Sequence, residues 1–267
     1  MELIQNLIAT LSNLPEVEMS DDDFYKLVCD KENEKTGFEN EDNIYDCPIC
    51  KNKGYTYIPQ ADGYAVKNCK CKIIRHGLRK MIADNLKVSK YTFENYKVTE
   101  DWQKNIFDKA KAFIGEKNKW FFIGGISGCG KTHICTAVAI SLLYEGKYTK
   151  YMKWASEGEK IKYLRSQPVE FEKFKDSIRK ADVLYIDDFM KINDADKMTN
   201  SDYKSIMEVI EERYTSEKTT IISSEMNISE IINIDMAVGG RIKELSQGYC
   251  INIKNDNARN YRLKGEK

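Results

Sequence analysis

The sequence predicts an α/β fold: a five-stranded parallel sheet covered by helices on both faces, preceded by a small cysteine-bounded module. Three observations predict it. From about Tyr91 onward, short apolar runs alternate with stretches of helical spacing, the pattern of a parallel sheet. Trp120-Phe121-Phe122-Ile123 leads directly into Gly125-Ile126-Ser127-Gly128-Cys129-Gly130-Lys131-Thr132, and apolar residues at helical spacing follow to Tyr144. Upstream, Cys47-Pro48-Ile49-Cys50 and Cys69-Lys70-Cys71 bracket a hairpin-sized insert.

Taken in order, residues 1–14 read as one short helix ended by Pro15. Residues 16–46 are acidic and poor in large apolar side chains outside Phe24–Val28, which predicts a mobile linker with a helical turn or two. Residues 47–71 form the cysteine module, and 72–90 a basic helix joining it to the next domain. Strands are expected over 119–124, 148–153, 182–187, 219–224 and 249–254. The helices between them are expected over 131–145, 155–166 with 169–180, 199–216, and 228–245 with a break near Gly239-Gly240. The domains are therefore 1–46, 47–90 and 91–267.

Composition narrows the class. A hydrophobic fraction of 42% suffices for a core, and no apolar run reaches the roughly 18 residues of a membrane span. The first residues lack the basic segment and cleavage site of a signal peptide, so a cytoplasmic protein with reduced cysteines and no membrane partner is expected. The net charge of zero hides an asymmetry. Residues 1–46 hold 13 acidic and 3 basic side chains, which leaves the remainder at +10. Such a contrast suits a polyanion or an acidic protein surface as partner, or simply a solvated surface.

The glycine-rich segment has the form G-x-x-x-x-G-K-T between a strand and a helix, the context that makes a phosphate-binding P-loop. Glycines at 125, 128 and 130 let backbone N–H groups of Ser127, Gly128, Cys129 and Gly130 close on phosphate oxygens, helped by the helix dipole. Lys131 then reaches the β- and γ-phosphates, Thr132 ligates Mg²⁺, and His133 follows at the start of the helix. A nucleoside triphosphate such as ATP is the expected ligand. Val183-Leu184-Tyr185-Ile186-Asp187-Asp188 is an apolar run ending in two carboxylates, about fifty residues on. Such a strand carries Asp187 to Mg²⁺ through water, and Asp188 to the attacking water. The four thiols Cys47, Cys50, Cys69 and Cys71 suit one tetrahedral Zn²⁺ in a closed structural site; an iron–sulfur cluster and unbound thiols are the alternatives.

These parts together resemble the helicase loaders of the DnaC/DnaI type, AAA+ ATPases related to the initiator DnaA. The resemblance rests on the cysteine module, Tyr91-Thr92-Phe93-Glu94-Asn95-Tyr96, Gly130-Lys131-Thr132-His133 and Asp187-Asp188-Phe189, and it covers roughly residues 47–262. It implies an AAA+ core without a full helical lid, since the sequence stops soon after Arg262. It implies that the N-terminal region grips a replicative hexameric helicase and that the ATPase domain touches single-stranded DNA. It implies self-assembly, with Arg241 as the arginine finger completing a neighbour's site and Arg259 as the sensor-II arginine of its own. Where the family carries Asn at sensor I, this chain has Glu225. A carboxylate there repels a γ-phosphate unless it is turned away or paired, so slow hydrolysis is expected, with Ser224 supplying the polar contact.

The leading expectation is thus an ATP-dependent helicase loader of a phage or prophage replication module. A transposition helper ATPase of the IstB type shares the core but usually lacks the cysteine module. A nucleotide-gated adaptor with little hydrolysis is the reading Glu225 favours. The aromatic and basic stretches Tyr148–Trp154 and Lys160–Tyr163 suit a single-strand groove, or equally a core strand and a surface helix.

Overall fold

A computed structural model describes residues 20–38, 40, 42–191 and 198–263; the helix expected over 1–14 lies outside these. The chain divides into two compact units, 1–75 and 76–267.

In the smaller unit, α1 (Asp21–Glu34) is a full helix where the sequence reading expected a mobile linker. Ser20 caps it, accepting from the Asp23 N–H, and Asp21, Asp22 and Asp23 complement the dipole in its first turn. Tertiary contacts hold it. The Asn33 side chain both donates to the Tyr57 carbonyl and accepts from the Tyr57 N–H, each at 2.9 Å. Strands β1 (Tyr55–Gln60) and β2 (Gly63–Asn68) form an antiparallel hairpin with Gln60 opposite Gly63. Helix α2 (Cys71–Ala83) follows, and the division between the units falls within it.

The larger unit holds five parallel strands in the order β4-β5-β6-β3-β7. They are β3 (Trp120–Gly125), β4 (Thr149–Lys153), β5 (Val183–Asp187), β6 (Thr219–Ser224) and β7 (Cys250–Ile253), each within two residues of its predicted span. Every residue of β3 and β5 is buried, as a parallel strand covered on both faces requires. The helices are α3 (Asp101–Phe113), α4 (Lys131–Tyr144), α5 (Trp154–Leu164), α6 (Pro168–Lys180), α7 (Asn200–Thr215), α8 (Ile228–Ile234) and α9 (Met236–Leu245). Helix α3 was not foreseen. Its capping box, with Gln103 reaching back to the Glu100 N–H, lies in a polar stretch that carries little helical signal.

Fully buried Arg213 ties three elements together. It donates to the Ile178 carbonyl of α6, the Ala181 carbonyl beyond it and the Thr220 hydroxyl of β6. Burial pushes its guanidinium down to about 10.

The expected break near Gly239-Gly240 falls instead at Asp235. Its carboxylate accepts from the Ala237 and Val238 N–H groups and so starts a second helix. The two glycines lie inside α9. A Cβ on Gly239 would come within 2.7 Å of the Ile232 nitrogen on α8, so this glycine serves close helix packing. Gly240 has open space. Gly239→Ala is therefore expected to destabilise the chain by about 1–3 kcal/mol in chemical denaturation. Gly240→Ala should instead stabilise it by roughly 0.5–1 kcal/mol through helix propensity.

Candidate functional site: a cavity at the P-loop

The turn from β3 into α4 is built from glycines in conformations that other residues resist. Gly125, Gly128 and Gly130 have φ of +135°, +76° and +93°. Gly125 could not carry a side chain, because its Cβ would meet the Ile253 carbonyl at 2.4 Å. Lys131 is buried, and its ammonium donates to the Gly125 and Ile126 carbonyls at 2.7 and 2.8 Å. The Cys129 thiol donates to the Ile126 carbonyl at 2.8 Å, and burial pushes its pKa up, which favours the protonated thiol.

Asp187, at the end of β5, collects hydroxyl donors from four directions. Thr132 donates to it at 3.0 Å, Ser223 at 2.6 Å, Tyr185 at 2.9 Å and Tyr151 at 3.2 Å. Burial and the adjacent carboxylate push both phenols up, which keeps them protonated as donors. Carboxylate and hydroxyl oxygens side by side form a hard donor set of the kind Mg²⁺ prefers. Asp188 follows in a left-handed conformation, φ +53°, with its N–H on the Ser223 hydroxyl at 3.0 Å. Ser223 thus fixes both acids at once.

Glu225, the carboxylate that stands where the resemblance expects Asn, is paired. Lys191 lies 3.0 Å from Glu225 and 3.4 Å from Asp188. Burial acts to raise the Glu225 carboxyl, but Lys191, with help from Ser127, outweighs it and holds the group below its usual range. Ser224 does not take up the polar contact. It is fully buried and donates to the Phe189 carbonyl at 2.8 Å.

These groups border a cavity of about 670 Å³, a size that accommodates a small-molecule ligand. Its other wall comes from Tyr91, Asn95 and Tyr96. His133 fastens that segment, because its Nε2 donates to the Thr92 carbonyl at 2.8 Å and its ring meets those of Tyr91 and Tyr96. Burial lowers the His133 ionisation, so the imidazole is neutral. Residues 260–262 cross the P-loop: the Tyr261 N–H donates to the Gly128 carbonyl at 3.0 Å, and the Arg262 guanidinium reaches the Ser127 hydroxyl at 3.5 Å.

The sequence-predicted residues Ser127, Gly128, Gly130, Lys131, Thr132, His133 and Asp188 line this cavity. Arg241 and Arg259 do not. Arg241 sits on α9, paired with Glu211 at 2.9 Å and stacked on Tyr214. Arg259 closes the three-residue turn Asn257–Arg259 and stacks on Trp102, while Arg262, which the sequence did not single out, lines the cavity. Lys191 also went unforeseen, because its partner Glu225 is 34 residues away. Of the stretch weighed for nucleic acid, Tyr151 is spent on Asp187 and Met152 and Trp154 on the core. Lys153, Lys160 and Tyr163 remain exposed.

In the smaller unit Cys47, Cys50, Cys69 and Cys71 are buried together, their sulfurs all within 4.8 Å of one another. Cys47 and Cys69 are 3.6 Å apart, and Cys50 and Cys71 are 3.4 Å apart. A tetrahedral zinc–thiolate centre with bonds of about 2.3 Å needs sulfurs roughly 3.8 Å apart. The cluster therefore fits Zn²⁺ with little adjustment. The Gly54 N–H donates to the Cys50 sulfur at 3.3 Å, support of the kind that orients metal thiolates. His76 takes no part in the cluster.

Strand, glycine loop and helix, with an acid-tipped strand one place removed across β6, define this as a P-loop nucleotide-binding domain of the AAA+ type. Residues 88–248 match the bacterial DnaA ATPase domain, and the chain belongs to that family. It is 30% identical over 211 residues to the uncharacterized protein YqaM of Bacillus subtilis, covering 74% of this chain and 66% of that one. It is 28% identical over 244 residues to the phage-like element PBSX protein XkdC of the same organism, covering 85% and 90%. The replicative helicase loader DnaC of Escherichia coli is 25% identical over 149 residues, 54% of this chain and 58% of that protein. The chain thus spans under two thirds of DnaC and just under two thirds of YqaM. The structure of the replication initiator DnaA bound to AMPPCP and single-stranded DNA superposes with a TM-score of 0.51 at 21% identity, over 63% of this chain and 51% of that one, which shows a shared fold. Among the described residues no helix is long and apolar enough to cross a membrane.

Chelation, or Cys50→Ser, is expected to remove one zinc per chain as measured by elemental analysis. It should also abolish hydrogen-exchange protection over residues 55–68 while leaving that of β3 and β5 intact.

Proposed function

We propose that this chain is an ATP-dependent loader of a replicative hexameric helicase, working in the cytoplasm as part of DNA replication in a phage or prophage setting. The observation that carries the nucleotide part is the convergence of Lys131, Thr132, Asp187 and Asp188 at one end of β3 and β5, beside a cavity of 670 Å³. The loader part rests on kinship with DnaC, and the phage setting on kinship with the PBSX protein.

In this reading the backbone N–H groups of Ser127 to Gly130 cradle the phosphates, and Lys131 leaves its two carbonyls for them. Thr132 and Asp187 would hold Mg²⁺, which would supply charge neutralisation for the phosphates. Asp188 orients the attacking water and accepts its proton. Tyr91 and Tyr96 wall the side of the cavity where a base stacks. Arg241, outside its own cavity, acts on the γ-phosphate bound by a neighbouring subunit after leaving Glu211. The smaller unit, its fold fixed by Zn²⁺ on four cysteines, supplies the grip on the helicase. Exposed Lys153, Lys160 and Tyr163 contact single-stranded DNA.

A second reading is a nucleotide-gated adaptor with little hydrolysis, which the Glu225 carboxylate in the cavity favours and its pairing with Lys191 weakens.

Lys131→Ala is expected to abolish ATP binding in calorimetry, and Arg241→Ala to preserve binding while losing most phosphate release. Wild-type turnover by the Arg241 variant would refute the neighbour's finger. Co-purification with hexameric helicases should depend on the smaller unit. Absence of any helicase capture, with or without ATP, would sink the loader reading.

A further inference from the structure

Two carboxylates, Asp188 and Glu225, face the cavity past the P-loop, and a third, Asp187, stands behind Thr132. A terminal phosphate arriving there meets an acidic wall, which Coulomb's law alone makes unfavourable. Among the cations that line the cavity, one stands between these two acids. Lys191 is shared between Glu225 at 3.0 Å and Asp188 at 3.4 Å, and all three line the cavity. Its side chain is 42% exposed, on a stem free to turn, and its partner Glu225 is 38% exposed, so water can solvate the carboxylate once the lysine departs. Lys131, by contrast, is bound into the loop itself, where the phosphates common to ATP and ADP would lie.

We infer that Lys191 is the residue by which this site tells a nucleoside triphosphate from a diphosphate, with Glu225 as the counter-ion that holds it until the terminal phosphate arrives. The assignment rests on the nucleotide reading of the same cavity. It gives Glu225 a positive role: the carboxylate stores a cation next to the place where the extra charge must be met. Lys131 reaches the β- and γ-phosphates from within the loop, and Lys191 adds a contact that only the terminal phosphate can take up. Transfer of Lys191 from Asp188 to the phosphate frees that aspartate to face water, so recognition and activation share one movement.

Affinities for a non-hydrolysable ATP analogue and for ADP, each with Mg²⁺, test this by calorimetry on the full chain. Wild type should prefer the triphosphate. Lys191→Ala should weaken the triphosphate by about tenfold and leave ADP within about twofold, the size expected for one charge-assisted hydrogen bond. Lys191→Arg should keep the preference. Glu225→Gln, which releases the lysine, should tighten the triphosphate and not ADP. Equal losses for both nucleotides in Lys191→Ala, or no loss for either, would overturn the assignment while leaving the nucleotide reading standing. A wild type that binds neither nucleotide would overturn that reading itself, as distinct from the role of Lys191.

Discussion

A carboxylate that is 5% exposed cannot remain charged unless its oxygens are satisfied, and the larger unit is arranged around meeting that requirement for Asp187. Its donors come from α4, β4, β5 and β6. Each must arrive in register: Tyr151 lies opposite Tyr185, Lys153 opposite Asp187, and Ile186 opposite Ile222, which brings Ser223 alongside the acid. Slipping one strand by a single residue would turn the relevant hydroxyl to the other face of the sheet. The register of three adjacent strands, β4, β5 and β6, the start of α4 and the left-handed turn at Asp188 are therefore one constraint. The P-loop inherits its position from it through Thr132.

The two units use opposite chemistries for the same end. Among its described residues the smaller one has a two-stranded hairpin and one packed helix, little apolar surface for a fold, and gathers four soft sulfurs that a single ion can cross-link. The larger one has a continuous core running from Trp120 through Ile242 and needs no such staple. There the charged groups are held for use at a site, with hard oxygens from Thr132 and Asp187.

Much of the fold was legible in the sequence because its determinants are local or periodic. The fully buried strands β3 and β5 announce themselves as apolar runs, and a P-loop needs glycine where φ is positive. The two close cysteine pairs could be read for the same reason, since their spacing limits where they can meet. What escaped was set by distant partners. Helix α1 reads as an acidic linker because the contacts that order it, such as Asn33 with Tyr57, are tertiary. The α8–α9 boundary was misplaced because glycine reads as a breaker, whereas at Gly239 its lack of a side chain lets two helices touch. Arg262 and the Lys191–Glu225 pair depend on how a turn and a loop present side chains, which no spacing rule encodes.

Residues 260–262 lie on the P-loop more than 120 positions after it in the chain, with Tyr261 bonded to Gly128 and Asn260 filling the space above that glycine. The shape of the phosphate loop is therefore set in part by a segment that follows the last strand of the sheet. A substitution at Asn260 or Tyr261 acts on the nucleotide site as directly as one within the glycine-rich motif itself, although the motif gives no hint of it.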